Sequence, residues 1–117
     1  MTEQEHIDSV YDSLPESGWS SSSHVDAVDE ALRQHPDSVR LWLLRGDLIQ
    51  TNDEVDDGRE LDDARRSYER ALEIDPACHE AHQSLGHYFD AVMPNPTLSR
   101  RHFRRAAELQ GTNPPPP

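Results

Sequence analysis

The chain has 117 residues, a third of them hydrophobic, and 23 Asp or Glu against 11 basic residues, all arginine, for a formal net charge of −12. That length supports one modest core, and the acidic excess disfavours nucleic acid and anionic membranes as partners, because both carry the same sign of charge. A single cysteine, Cys78, excludes an intramolecular disulfide, no apolar run approaches the roughly 20 residues of a membrane span, and the acidic start is unlike a signal peptide, so a cytoplasmic location is expected.

Ile7, Val10, Tyr11 and Leu14 recur at i, i+3, i+4 and i+7 and predict a short amphipathic helix from Glu3 to Leu14, ended by Pro15. Glu16 to Ser23, with Gly18 and four consecutive serines, reads as a loop in which Ser22 or Ser23 is placed to cap the next helix. The same spacing in Val25, Val28, Ala31 and Leu32 predicts a second helix from His24 to His35, stopped by Pro36. A third helix is expected from Ser38 to Gln50, capped by Asp37 or Ser38. The acidic, Gly-containing stretch Thr51 to Glu60 reads as a loop, and a fourth helix follows from Leu61 to Ile74. Asp75-Pro76 reads as a cap followed by a first-turn proline, opening a fifth helix from Ala77 to Val92 that Pro94 and Pro96 stop. A sixth runs from near Thr97 to Gly111, and residues 112–117 form a proline-rich extended tail.

Parts of this pattern repeat. Ala31-Leu32-Arg33-Gln34-His35-Pro36 returns forty residues later as Ala71-Leu72-Glu73-Ile74-Asp75-Pro76, and once more, without the proline, as Ala106-Ala107-Glu108-Leu109-Gln110-Gly111. Trp42, Gly46 and Ile49, followed by Ala64, Tyr68 and Pro76, resemble the tetratricopeptide repeat, whose signature places Trp, Leu-Gly and Tyr on one helix and Ala-x3-Phe on the next. A second copy reads His82, Gly86 and Phe89, then Ser99 and Phe103. The resemblance implies an all-α fold of about six helices, built as antiparallel hairpins stacked in a short right-handed array. Its glycines would let two helices approach closely. Repeats are expected over 37–76 and 77–111, preceded by a half repeat at 24–36 and a degenerate segment at 1–23. Three departures stand out. Trp42 to Ala64 spans 22 residues against about 16 in the family pattern, Arg45 replaces a usual leucine, and His82 replaces the tryptophan.

Several clusters invite chemistry and are weak on inspection. Asp53-Glu54-Val55-Asp56-Asp57-Gly58 resembles a calcium loop, but Val55 and Ala64 stand where ligands are needed, so a solvated acidic loop is expected. Cys78, His79 and His82 are close enough to suggest zinc but lack further ligands. A metal-binding role is therefore the lowest alternative, and a packing role for His82 is expected. No nucleophile–base pair or phosphate loop is present, so the expectation is a non-enzyme without a cofactor. Arg100, Arg101, Arg104 and Arg105 form a basic cluster on the sixth helix, read as a solvated face that could pair with the acidic half of the fold: residues 1–63 carry 17 acids and four arginines, residues 64–117 six acids and seven arginines.

The resemblance also implies a concave binding surface lined by the first helix of each hairpin. Here it would consist of Arg40, Leu43, Asp47 and Gln50, then Glu80, Gln83, His87 and Asp90. Some family members clamp a C-terminal carboxylate with cationic residues at such positions; Asp47, Glu80 and Asp90 would repel one. A protein–protein interaction module is expected, taking a basic or polar peptide segment in this acidic groove, with His87 tuning it near neutral pH. A monomer is expected because the sixth helix has a charged outer side, with a self-associating homodimer through the terminal helices as the alternative.

Overall fold

The computed structural model describes residues 1–16, 20–52 and 61–111. It is all-α: α1 (Glu3–Ser13), α2 (Ser22–Gln34), α3 (Val39–Gln50), α4 (Asp62–Ile74), α5 (His79–His87), continued by a π-helical turn (Tyr88–Val92), and α6 (Pro96–Leu109). The described residues contain no strand, only one isolated parallel bridge between Ser20 and Asn52. Packing is closest within α3/α4 and α5/α6, α1 lies on α2, and the α2/α3 and α4/α5 contacts join these pairs. The expected calcium-like loop Asp53 to Gly58 and the tail 112–117 lie outside the described residues.

One turn design serves twice. After α2 the His35 N–H donates to Ala31 O at 2.9 Å and Ser38 N–H to His35 O at 3.2 Å; after α4 the Asp75 N–H donates to Ala71 O at 2.9 Å and Cys78 N–H to Asp75 O at 3.1 Å. Pro36 and Pro76 each sit inside this turn, where a missing N–H leaves no bond unmade. The expectation that Pro76 opens the fifth helix is therefore corrected. The Asp75 carboxylate accepts from Ala77 N–H at 3.1 Å, and α5 starts only at His79, with Cys78 at its N-cap. Ser38 caps α3 by accepting from Leu41 N–H at 3.2 Å.

The cap of α2 is Ser21 rather than Ser22 or Ser23. His24 completes it: its Nδ1 accepts from Ser21 N–H at 2.9 Å, and its Nε2 lies 3.1 Å from Ser13 O. A neutral ring satisfies both only with the proton on Nε2, so this one side chain ties the end of α1 to the start of α2.

The larger of two core clusters among the described residues joins Ile7 and Val10 of α1, Val25, Val28 and Leu32 of α2, Leu41, Leu44 and Leu48 of α3, Tyr68 of α4, and Leu85, Tyr88 and Phe89 of α5 and its π turn; the smaller holds Ala71, Cys78 and Ala81. Ser20 anchors the segment before α2 to the end of α3, donating from its buried hydroxyl to Leu48 O at 2.5 Å and from its N–H to Thr51 O at 3.0 Å. Both helical glycines are sites of close approach. A Cβ built on Gly46 would stand 2.5 Å from Tyr68 Cε1, and one on Gly86 would stand 2.8 Å from Phe103 Cδ1. The small residue is thus fixed by the ring facing it.

The fifth helix does not continue as α-helix to Val92. The Met93 N–H reaches Tyr88 O, five residues back, at 3.0 Å, and Asn95 N–H reaches Phe89 O at 2.7 Å. Pro94 has no N–H with which to extend the α ladder. Pro96 opens α6 at its first turn rather than stopping α5, and the Asn95 side chain caps it by accepting from Leu98 N–H at 3.2 Å. Gly111, at φ 74°, ends α6 in the left-handed conformation that glycine adopts without strain.

Candidate binding groove

The first helices of the three pairs meet around a pocket of about 150 Å³ lined by Ile7 and Tyr11 of α1, Arg40, Leu43, Leu44 and Asp47 of α3, and Glu80 of α5. Arg40, Leu43 and Asp47 share a face because they stand at i, i+3 and i+7. Leu44 forms a buried wall beside Ile7, and Tyr11 stands at the rim, 57 % exposed. Arg40 Nη1 is 3.6 Å from Glu3 Oε1, an exposed pair joining α3 to α1.

Two carboxylates, Asp47 and Glu80, set the chemistry. Among the described residues neither forms an ion pair. Asp47 Oδ1 accepts from the Tyr68 hydroxyl at 2.6 Å, and that hydroxyl in turn accepts from Gln50 Nε2 at 2.6 Å. Asp47 is exposed by area, but the protein packed around it partly desolvates its carboxyl and raises its pKa above the usual 3.8. The Glu80 charge adds to this rise, and the Tyr68 hydrogen bond opposes it. Burial, then the neighbouring Asp47 charge, pushes the Tyr68 phenol well above its ordinary range, so it stays protonated and donating.

The remaining expected groove residues divide. Gln50 is turned onto Tyr68. Gln83, His87 and Asp90 are exposed and outside the pocket. His87 lies edge-on to Phe103, ring centroids 4.9 Å apart, as Asp47 lies against Tyr68 in the preceding pair. The contribution of Ile7 and Tyr11 escapes sequence reading because α1 carries none of the repeat's marker residues; the signal present was Tyr11 four residues beyond Ile7, at the edge of the apolar stripe.

Cys78, His79 and His82 do not converge. Cys78 is buried against Ala71 and Ala81, whereas His82 faces α6, its Nδ1 3.1 Å from His102 Nδ1. The His102 ring is stacked parallel to Phe89 at 5.8 Å. Burial lowers the pKa of His82, and burial followed by the charges on His82 and Arg101 lowers that of His102. Both rings thus favour the neutral form, in which one donates to the other. Among the described residues no three His, Cys, Asp or Glu side chains are grouped to hold a metal, and no described helix is long and apolar enough to cross a membrane. Ala64, where a calcium loop would need a glutamate, is fully buried. On α6, Arg100, Arg101, Arg104 and Arg105 are exposed, and Arg105 pairs with Glu108 at 3.3 Å. Comparison with protein-family models gives no match, and comparison with curated proteins gives none either.

Proposed function

We propose that this protein is a tetratricopeptide-like interaction module that binds a basic or polar extended segment of a partner protein along α1, α3 and α5, without catalysis or cofactor, in the cytoplasm. One observation carries the reading: Asp47 and Glu80, which form no ion pair among the described residues, line the same pocket as the aliphatic side chains of Ile7, Leu43 and Leu44, and the one arginine there, Arg40, pairs with Glu3 instead. A lysine or arginine side chain matches both halves. Its methylene stem lies along the aliphatic wall, and its charged head relieves the repulsion between the two acids. Keeping Asp47 ionised against its raised pKa works against folding, which is the cost expected of a residue held for binding rather than for stability. A carboxylate-ended peptide would meet like charge here.

Fluorescence anisotropy with a labelled lysine- and arginine-containing peptide library tests this. Affinity should fall as salt rises, because the attraction is screened, and Asp47→Arg with Glu80→Arg should abolish binding while helicity is retained. Salt-insensitive binding, or equal binding by the double variant, would remove the groove from consideration.

A further inference from the structure

The opposite side of α3 carries a second groove. Trp42 and Arg45 stand about half a turn away from Leu43 and Asp47 at 100° per residue, and with α2 and α4 they line a depression of about 580 Å³. Leu32 and Trp42 form its apolar floor, and the Trp42 indole N–H is already held by Pro36 O at 3.0 Å. Four of the chain's 11 arginines line it (Arg33, Arg45, Arg66 and Arg70) against two carboxylates, Asp29 and Asp63, in a protein where acids outnumber arginines two to one.

The arginines have two roles. Arg45 is fixed in the wall: its Nε donates to Asp29 at 2.7 Å and its Nη1 to Ser67 at 2.8 Å. Arg33, Arg66 and Arg70 have side chains 73 %, 64 % and 43 % exposed. Their ion pairs, with Glu30, with Asp62 and Asp63, and with Glu73, all run along their own helices. Exposed pairs of that kind contribute little, so a partner's carboxylates can take them over with small loss.

The fold contains its own control. Between α4 and α6 lies an equivalent groove of about 400 Å³ lined by Glu69, Leu72, Glu73, Leu85 and His102. The first four stand forty residues after Asp29, Leu32, Arg33 and Arg45, and His102 occupies the place of Ser67. The frame is the same, but Arg33 has become Glu73 and Arg45 has become Leu85. Arg33 and Arg45 are therefore not demanded by helix packing, whereas Arg66 and Arg70 keep arginine counterparts in Arg101 and Arg105 of α6.

From this charge complementarity we propose that the groove between α2 and α4 docks an acidic peptide segment, one apolar side chain seated on Leu32 and Trp42 and flanking carboxylates held by Arg33 from one wall and Arg66 and Arg70 from the other. A peptide is favoured over a nucleic acid because its few charges match three movable guanidinium groups, whereas a polyanion would face the whole molecule's negative field. The site is separate from the concave pocket.

The probe is a labelled ten-residue peptide with a central leucine flanked by aspartates and glutamates, titrated against the full chain at 50 mM and 300 mM salt. Binding is expected at low salt, weakened at least tenfold at the higher salt, weakened at least tenfold by Arg33→Glu with Arg66→Glu and Arg70→Glu, and retained by Asp47→Arg with Glu80→Arg. The Trp42 indole N–H resonance should shift on binding. If the triple variant is poorly folded by circular dichroism, Arg33→Glu alone should still weaken binding. Absence of binding at low salt, equal binding by the arginine variants, equal binding when leucine is replaced by serine, or tighter binding of a short RNA of the same charge would each overturn the proposal.

Discussion

Replacing Gly46 by alanine sets two effects of known size against each other. Alanine is the better helix former by about 1 kcal/mol, so at an exposed position the change would stabilise. At Gly46 the new methyl would lie 2.5 and 2.6 Å from Tyr68 Cε1 and Cζ, where carbon atoms ordinarily rest about 3.5–4.0 Å apart. Either the ring or the helix must retreat by roughly 1 Å. Tyr68 is fully buried, and its hydroxyl is held by Asp47 and Gln50, each at 2.6 Å, so it cannot simply swing aside. Overpacking of this kind costs about 1–3 kcal/mol. With Tyr68 pinned in place the cost falls in the upper part of that range, about 2–3 kcal/mol; set against the propensity gain, a net loss of roughly 1–2 kcal/mol is expected, which for a chain of this size lowers Tm by about 4–10 °C. Thermal and urea unfolding followed by circular dichroism would measure it. Gly86→Ala should be milder although Phe103 is nearly as close, at 2.8 Å, because that ring is only half-buried and has no hydroxyl to pin it. If Gly46→Ala is neutral, or stabilises by the full propensity difference, the close approach of α3 to α4 is not what fixes glycine there.

Further outcomes follow from the polar contacts. Ser20→Ala removes a buried hydroxyl bonded to Leu48 O and should lower stability by about 1 kcal/mol in urea unfolding, chiefly by loosening α2 from the end of α3. Asp47 holds its proton more tightly folded than unfolded, so stability present below its usual pKa of 3.8 is lost as pH rises through the folded value. Asp47→Asn should therefore be more stable than the parent at pH 7, with the advantage shrinking toward pH 4 in parallel melts. For His82 and His102 the sign reverses. Their folded pKa values lie below the usual 6.5, so the unfolded chain binds more protons, and stability is greatest above pH 6.5 and declines as pH falls from there through the lowered values. His102→Phe keeps a ring against Phe89 and should flatten the stability profile between pH 5 and 7; an unchanged slope would show that the pair does not govern it.

Much of this architecture was legible in residue spacing. The apolar periodicity of Val25, Val28, Ala31 and Leu32, or of Ile7 and Val10, fixes which side of a helix is buried, and buried it is. Gly46 with Tyr68 and Gly86 with Phe103 signalled close approach because only packing explains a glycine opposite an aromatic in both pairs. Turns were harder. Asp75-Pro76 suits a helix start as well as an inter-helix turn, and only the Asp75 hydrogen bonds decide between them. The π turn after His87 was invisible because apolar spacing records which face is buried and not which carbonyl each N–H reaches. Two of the three departures from the pattern that the chain resembles carried the least obvious information. Arg45, in a leucine's place, is the group that holds Asp29 and Ser67, and His82, in a tryptophan's place, meets His102. Both depend on a partner far along the chain, which local reading does not supply. Tyr11 joined the groove for the same reason: its role is set by α3 and α5, not by α1.

The concave pocket is tested most directly by the protonation of Asp47 itself. Its carboxyl carbon can be followed by NMR across pH 3 to 7, alone and with a saturating lysine-containing peptide. A cation seated between Asp47 and Glu80 must favour the ionised acid, so the Asp47 pKa should drop on binding while the methyl signals of Ile7, Leu43 and Leu44 shift. An Asp47 titration curve that stays in place while the peptide saturates the protein would contradict a cation at that pocket.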